Sequence, residues 1–256
     1  MKVRHIPTKA IVLSEHTGIA QRIILSRYER SIARTPDIFR KRILDIGCNL
    51  GYGAALASES AASVVGVDYN RSHVNAAKEE HALCKNLSFA QMDASCLAIK
   101  DGSFDAVFAF EVIEHMRTED QKKFLGEVSR VIANDGYFFI STPNKGAYVA
   151  KGNMSPDHID ELTRMAFLEM LSEHFENIQE FWQCTMKQGF RSALAQYARA
   201  AVSANPKVWS AVRRVIPKYV RNKAVTSQYD GVDIHNPENC SGTPGIIYAI
   251  CSNPKK

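Results

Sequence analysis

The sequence predicts an α/β fold built on a mainly parallel sheet, and three observations lead to that prediction. From Arg42 onward, short runs rich in β-branched and aromatic residues alternate with helical stretches, which is typical of parallel sheets covered by helices. The 256 residues are 45% hydrophobic, which is ample for one large core. No internal repeat or low-complexity tract interrupts the pattern. We therefore expect a single domain over 1–256.

The individual elements follow from periodicity, in chain order. An amphipathic helix is expected over 17–33, where isoleucines recur at helical spacing. Further helices are expected at 52–60, 70–84, 118–132 and 163–174, and Thr163 is the predicted N-cap of the last one. Seven strands are expected, at 42–47, 63–68, 86–93, 104–110, 137–142, 177–183 and 244–250.

Charge divides the chain into four parts. The formal net charge is +5, but it is +7 over 1–42, −10 over 43–184 and +9 over 185–225. We therefore distinguish an N-terminal helical cap (1–40), a core (41–184), a basic helical insert (185–243) and a last strand with its tail (244–256). The insert is expected to hold two helices separated at Asn205-Pro206, with a loop over 227–242. Its second helix carries an apolar stripe, with Trp209 and Tyr219, opposite a basic face.

The same sequence patterns restrict the possible binding partners and the cellular location of the protein. No apolar run approaches the ~18 residues of a membrane-spanning helix, and the first residues lack a cleavable apolar segment. The six scattered cysteines indicate reduced thiols, so a cytoplasmic location is expected. The insert would pack as a lid or homodimer interface, or its basic helices over 185–225 would contact anionic lipid at the membrane periphery. The histidines show no metal-ligand spacing, and no metal is expected.

A glycine-rich loop between the first strand and the next helix is the strongest chemical signal. It runs from Ile43 to Gly53 and contains Asp45, Gly47 and Gly51, where missing side chains let a ligand approach the backbone. A dinucleotide dehydrogenase would show a third glycine, but Leu56 stands in that place. The loop therefore indicates a different ligand.

Three more strand ends carry polar residues. Asp68 ends the second strand and is placed to accept hydrogen bonds from ribose hydroxyls. Asp93 and Ala94 follow the third strand, where a carboxylate could accept from an adenine amino group. The run 104–116, with Glu111 and His115, lies on and after the fourth strand. Because the carboxyl ends of parallel strands share one sheet edge, we expect all four ends to meet in one crevice.

Together these motifs resemble the class I S-adenosylmethionine-dependent methyltransferases. LDIGCNLGYG is similar to their glycine motif, VVGVD to their ribose motif, QMDA to their adenine motif and FDAVFAFEVIEHM to their strand-four signature. The resemblance covers about 40–183 and implies a Rossmann-like sheet with an antiparallel last strand and S-adenosylmethionine as cofactor. It also implies contacts with the methionine part, the ribose and the adenine of the cofactor. The residues that would make these contacts are Asp45, Gly47, Gly51, Asp68, Tyr69, Asp93 and Ala94.

Three further residues are candidates for the cofactor pocket. Asn49 stands where the family usually has glycine, and we expect it to adopt the left-handed conformation that Asn tolerates best. Glu111 is expected to shape the pocket rather than to act as an acid or base. Arg22 would reach the cofactor carboxylate from the N-terminal helix, or lie on a solvated helix face.

The candidate catalytic residues are two histidines. His115 follows the fourth strand, where an acceptor would meet the methyl group, so it is the first candidate base; the alternative is a hydrogen bond to the backbone. His158 lies in the loop expected to cover the site, where it would deprotonate or orient an acceptor hydroxyl, or stabilise the loop. An acceptor carboxylate would need no base.

The acceptor class is predicted from a narrower similarity. STPN at 141–144 and DHIDELT at 157–163 resemble segments of methyltransferases found with glycan and surface-polysaccharide biosynthesis, which implies a sugar of a glycan or glycolipid precursor. Quinone-biosynthesis methyltransferases share part of this pattern, so a quinone-like or other small hydroxylated metabolite is the alternative. Cofactor binding without catalysis is a third hypothesis. The acidic core disfavours nucleic acid, as does the absence of an N/D-P-P-Y tetrapeptide.

Overall fold

The structure is a computed structural model that describes residues 19–149, 157–183, 234–239 and 243–255. These residues form one eight-stranded sheet in the order β3-β2-β1-β4-β5-β8-β6-β7. The strands are β1 (Arg42–Ile46), β2 (Ser63–Asp68), β3 (Leu87–Gln91), β4 (Phe104–Phe110), β5 (Ile132–Pro143), β6 (Phe175–Gln183), β7 (Ile234–His235) and β8 (Ile246–Pro254).

Six α-helices are described with the strands. They are α1 (Ile19–Arg34), α2 (Tyr52–Ser58), α3 (Arg71–Glu80), α4 (Thr118–Val131), α5 (Lys145–Val149) and α6 (Arg164–His174). Thr163 caps α6 as predicted, because its side-chain oxygen accepts a hydrogen bond from the Ala166 amide. Helix α5 was not predicted; it is a single short turn directly after β5, too brief to show a helical period.

The sheet has the predicted α/β topology. Strands β3, β2, β1, β4 and β5 are parallel, and the last strand, β8, is antiparallel to both β5 and β6. The chain moves outward from β1 in one direction through β2 and β3, and in the other through β4 and β5. This reversal places a crevice at the carboxyl ends of β1 and β4.

The prediction of seven strands was wrong by one. Ile234 and His235 form β7, which pairs with Gln183 and Trp182 at the free edge of β6, inside the stretch predicted to be loop. A strand of two residues is too short to show alternation, so only the partner strand reveals it. Strand β5 also begins earlier than predicted, at Ile132, beyond a register shift in its pairing with β4.

Two hydrophobic clusters pack on the strands. Alternate residues of β4 divide between them, since Val107 belongs to the cluster with α4 and α6 and Phe108 to the cluster with α1, α2 and α3. Helices therefore cover both faces of the sheet, as the near-continuous apolar strands require.

Several predictions fall outside the described residues. They concern residues 1–18, most of the basic insert, and all of 185–225 with its lid, dimer or lipid role. Among the described helices, none combines the length and the apolar character that crossing a membrane would require.

Candidate active site

The loop after β1 has the backbone of a tight ligand cradle. Gly47 and Gly51 have φ angles of 71° and 80°, and Asn49, at 49°, adopts the predicted left-handed conformation. A Cβ on Gly47 would lie 2.5 Å from Val112 Cγ2, and one on Gly51 would lie 2.5 Å from Phe89 Cζ. Both glycines are therefore required by conformation and by space.

Asp45 is fully buried beneath this loop and only half satisfied. Its Oδ1 accepts a hydrogen bond of 2.8 Å from the Tyr28 hydroxyl, while Oδ2 has no partner among the described residues. The pKa of Asp45 is raised to about 7, mainly by burial, while the Tyr28 hydrogen bond lowers it and the nearby charge of Asp68 adds to the rise. An unpaired buried carboxylate oxygen is costly, so the position suits a cationic ligand group.

Asp68 ties the glycine loop to the next turn. Its Oδ2 accepts from the Asn49 amide and its Oδ1 from the Asn70 amide, both at 2.8 Å. These bonds fix the carboxylate at the carboxyl end of β2, next to the loop. Tyr69, the following residue, is 76% exposed, so its ring is free to pack against a ligand on this edge.

Asp93 and Ala94 lie at the end of β3, on the same sheet edge. Asp93 is exposed, and its Oδ1 accepts from the amide and the hydroxyl of Ser95, which holds the turn. Ala94 is buried against the core. The ends of β2 and β3 thus carry the carboxylates predicted to bind the ribose and the adenine, on the same sheet edge as the loop after β1.

Glu111, at the end of β4, is held by an arginine that the sequence did not single out. Arg27 of α1 is 1% exposed, and its guanidinium lies 2.9 Å from Glu111 Oε1 and donates to Ser141 and Gln183. Arg22 had been the candidate on this helix, and its side chain lies outside the described residues. The sequence does contain a sign of this role, because Arg27 lies one helical turn after Ile23 and so places a charged residue on the apolar face of the helix.

Glu114 is buried in the short 3₁₀ turn Ile113–His115 after β4. Its Oε2 accepts from the Thr142 hydroxyl at 3.2 Å, and its Oε1 has no partner among the described residues. Burial, together with the charge of Glu111, raises the pKa of Glu114 well above its usual range.

The two candidate catalytic histidines meet in space. His115 Nδ1 lies 2.9 Å from the Asp157 carbonyl oxygen, and His158 Nδ1 lies 2.5 Å from Glu161 Oε1. The ring centroids are 5.1 Å apart, with the planes at 82°. His115 therefore makes the backbone contact that was its alternative role, yet its other ring nitrogen and its exposed edge stay available to a substrate.

The predicted site thus has two ends. The cofactor end is the glycine loop with Asp45, Asp68 and Asp93, and the acceptor end is the cluster of Glu114, His115 and His158. S-adenosylmethionine fits the cofactor end, because its amino-acid ammonium would satisfy the unpartnered Asp45 oxygen and the glycine cradle admits its methionine part. The contacts of Asp68 with the ribose and of Asp93 with the adenine stay predictions.

The fold and this site resemble those of class I methyltransferase domains, the class whose cofactor is S-adenosylmethionine. Residues 44–140 match a family profile described as a methyltransferase domain. A structure described as a SAM-dependent methyltransferase from Archaeoglobus fulgidus has a TM-score of 0.57 at 17% identity, and the match covers 91% of this chain and 94% of that one. At this identity the likeness concerns the fold alone.

Curated relatives match about half of this chain. A probable S-adenosylmethionine-dependent methyltransferase of Mycolicibacterium smegmatis is 32% identical over 131 residues, which are 50% of this chain and 49% of that protein. A fatty-acid O-methyltransferase of the same species is 34% identical over 52% of this chain and 47% of its own. A ubiquinone biosynthesis O-methyltransferase of Bradyrhizobium diazoefficiens is 31% identical over 46% of each. The chain spans about half the length of these relatives.

Proposed function

We propose that this protein transfers a methyl group from S-adenosylmethionine to a hydroxyl oxygen, and that the acceptor is a sugar of a glycan or glycolipid precursor. The observation that carries the proposal is the juxtaposition of the two ends on one sheet edge. The glycine cradle with its unpartnered Asp45 oxygen suits the cofactor. Two histidines, each of which has one ring nitrogen free, lie near the end of β4, where an acceptor hydroxyl would be deprotonated.

Methyl transfer depends mainly on how the acceptor and the methyl group are positioned. When bound, the cofactor supplies a methyl group on a positively charged sulfur. The acceptor oxygen forms a bond to the methyl carbon as the carbon–sulfur bond breaks, and the acceptor proton passes to a ring nitrogen of His115 or His158. Holding the two reactants in line provides most of the acceleration, and a general base adds typically ~10²-fold or more.

Two features support a sugar acceptor. Polar side chains lie close to the histidines, with Glu161 bound to His158 and Asp160 accepting from Thr118. The motifs at 141–144 and 157–163 resemble those of glycan-associated methyltransferases. A quinone-like or other small hydroxylated metabolite is the second candidate, favoured by the similarity to a ubiquinone biosynthesis O-methyltransferase.

The experiment is a methyl-transfer assay with methyl-labelled S-adenosylmethionine and the full chain. Acceptors are offered in three sets, namely saccharides and glycolipids, reduced quinones and catechols, and free fatty acids. We expect label on a sugar hydroxyl, its loss in Asp45→Asn, and a loss of ~10²-fold in His158→Ala. Asp135→Asn is the matched control, because Asp135 is exposed in the first part of β5, outside the site.

Each other outcome has a defined meaning. Label only on quinols would replace the sugar proposal by the second candidate. Label on a fatty-acid carboxylate that persists in His158→Ala would contradict acceptor deprotonation. Cofactor binding without transfer to any set would point to a protein that binds the cofactor without catalysis.

For the segment 185–225, we propose packing as a lid or homodimer interface, on the strength of its apolar stripe. Docking on anionic lipid is the competing proposal, because the segment carries nine basic and no acidic residues. Co-sedimentation of the full chain with anionic but not neutral vesicles would favour lipid, and equal behaviour with both would reject it.

A further inference from the structure

We propose that Glu114, His115 and His158 bind a divalent metal ion of the first transition row, with Glu161 as the positioning residue of His158. The role of the ion in methyl transfer rests on the proposed function, but its binding does not. This proposal replaces the sequence-based expectation that the chain holds no metal. That expectation rested on local spacing, whereas His158 reaches the other two residues only through the fold.

The three side chains converge at one point. One ligand atom from each, a carboxylate oxygen and two ring nitrogens, lie within 4.8 Å of one another. Atoms at this separation reach a common ion with bonds of ~2.0–2.2 Å after small side-chain movements. The cluster belongs to the end of β4, beside the crevice, where the ion would face an acceptor.

The backbone that carries these ligands is held firmly. The Glu114 carbonyl oxygen accepts from the Ile159 amide at 2.9 Å and from the Asp160 amide at 3.3 Å, which joins the 3₁₀ turn to the loop of His158. The buried Gln121 side chain donates to the carbonyls of Ile113, Met116 and Asp160. The turn and the loop therefore present their ligands as one unit.

Both histidines are oriented as metal ligands usually are. A metal-binding histidine typically donates one ring N–H to a carboxylate or a backbone carbonyl, which fixes the tautomer and leaves the other nitrogen for the metal. His158 has this bond to Glu161, and His115 has it to the Asp157 carbonyl, in each case through Nδ1. The two Nε2 atoms are left as acceptors.

Two buried oxygens supply the independent observation. Glu114 is 0% exposed, and its Oε1 has no partner among the described residues. Glu161 is 7% exposed, and its Oε2 likewise has no partner there. Burying carboxylate oxygens without partners is costly, and a cation within the cluster would offset that cost.

The donor set indicates the kind of ion. Two imidazole nitrogens with one carboxylate suit zinc, iron, cobalt or manganese better than magnesium or calcium, which prefer oxygen ligands. Three protein ligands would leave coordination positions for water or an acceptor hydroxyl, whose pKa the ion would lower. With the ion bound, the two Nε2 atoms are ligands, so the acceptor proton would pass to solvent water instead of to His115 or His158. The acceptor would then be an alcohol or phenol that binds the ion through the oxygen that is methylated.

The test uses Co²⁺ as the probe and the full chain freed of metal by a chelator. Titration is followed by visible absorption and by equilibrium dialysis, without S-adenosylmethionine. We expect one Co²⁺ per chain with d–d bands, loss of both in His115→Ala/His158→Ala and in Glu114→Gln, and ~10–100-fold weaker binding in Glu161→Gln. His174→Ala is the matched control, because His174 lies at the end of α6 outside the cluster, and it should bind as the wild type does.

Circular dichroism and S-adenosylmethionine calorimetry on each variant separate misfolding from ligand loss. Wild-type protein that takes up no more Co²⁺ than the folded double-histidine variant would overturn the metal site, even if methyl transfer is observed. Stoichiometric Co²⁺ binding in a protein that methylates no acceptor would leave the metal site standing and reject the proposed function. Methyl transfer unaffected by chelation, with Co²⁺ still bound on titration, would reject the catalytic role of the ion alone.

Discussion

The two ends of the candidate site are built in different ways. At the cofactor end, the chain itself makes the cradle, through left-handed glycines and through amides of Asn49 and Asn70 that bind Asp68. At the acceptor end, side chains hold one another, as Arg27 does with Glu111 from a distant segment and Glu161 with His158 within one loop. Substitutions at the cofactor end should therefore weaken mainly ligand binding, whereas substitutions behind the acceptor end should lower mainly the free energy of unfolding.

The largest expected effect is on the buried arginine behind the acceptor end. Arg27→Met should lower the free energy of unfolding by about 3–5 kcal/mol, because it removes the buried guanidinium that pairs with the Glu111 carboxylate. Urea unfolding measures the change. A loss below about 1 kcal/mol would break the comparison, since the network would then not hold this end together.

The second effect is the pH dependence of stability without ligand. The pKa of Asp45 is raised from 3.8 to about 7, so the folded state binds its proton more tightly than the unfolded chain does. This contribution is complete below about pH 4 and is lost as the pH rises through about 7, by at most ~4 kcal/mol. Glu114 acts in the same direction.

Asp45→Asn tests this assignment, because it keeps the shape and removes the titrating group. Urea unfolding at several pH values should show a smaller decline between pH 4 and 7 in the variant than in the wild type. An equal decline in both proteins would assign the pH dependence to other groups, such as Glu114.

The third effect separates the cradle from an ordinary turn. Gly51→Ala should lower the free energy of unfolding by ~1–3 kcal/mol and weaken the binding of S-adenosylmethionine at least ~10-fold. The reason is that φ of residue 51 is 80° and that the added Cβ would lie 2.5 Å from the Phe89 ring. Gly102→Ala is the matched control, with a φ of 62° and open space around its Cβ. It should cost ~1 kcal/mol and leave calorimetric affinity unchanged. Equal affinities in the two variants would contradict the cradle.

The smallest effect belongs to an ion pair outside both ends. Arg42 and Asp105 bind each other near the starts of β1 and β4, with the Arg42 side chain half exposed. Arg42→Met should cost no more than ~1 kcal/mol in urea unfolding and leave cofactor affinity unchanged. A larger loss would mean that stability is not concentrated behind the acceptor end.

The same contrast explains what the sequence could predict. The residues of the cofactor end belong to short continuous motifs. The sequence therefore predicted the left-handed conformation of Asn49 and the positions of Gly47 in the loop and of Asp68 at the end of β2. The α/β order was predictable too, because each strand carries its own apolar run. Arg27 and Glu114 act through contacts made only in the fold, and β7 exists only through its pairing with β6. A pattern read along the chain cannot show such partners.

The most direct test of the central claim is calorimetric titration of the full chain with S-adenosylmethionine, in parallel for wild type, Asp45→Asn and Asp135→Asn. We expect one bound cofactor per wild-type chain, ~10–100-fold weaker binding for Asp45→Asn through loss of a hydrogen bond to a charged group, and wild-type affinity for Asp135→Asn. No binding to the wild type, or equal affinity in all three, would contradict the central claim.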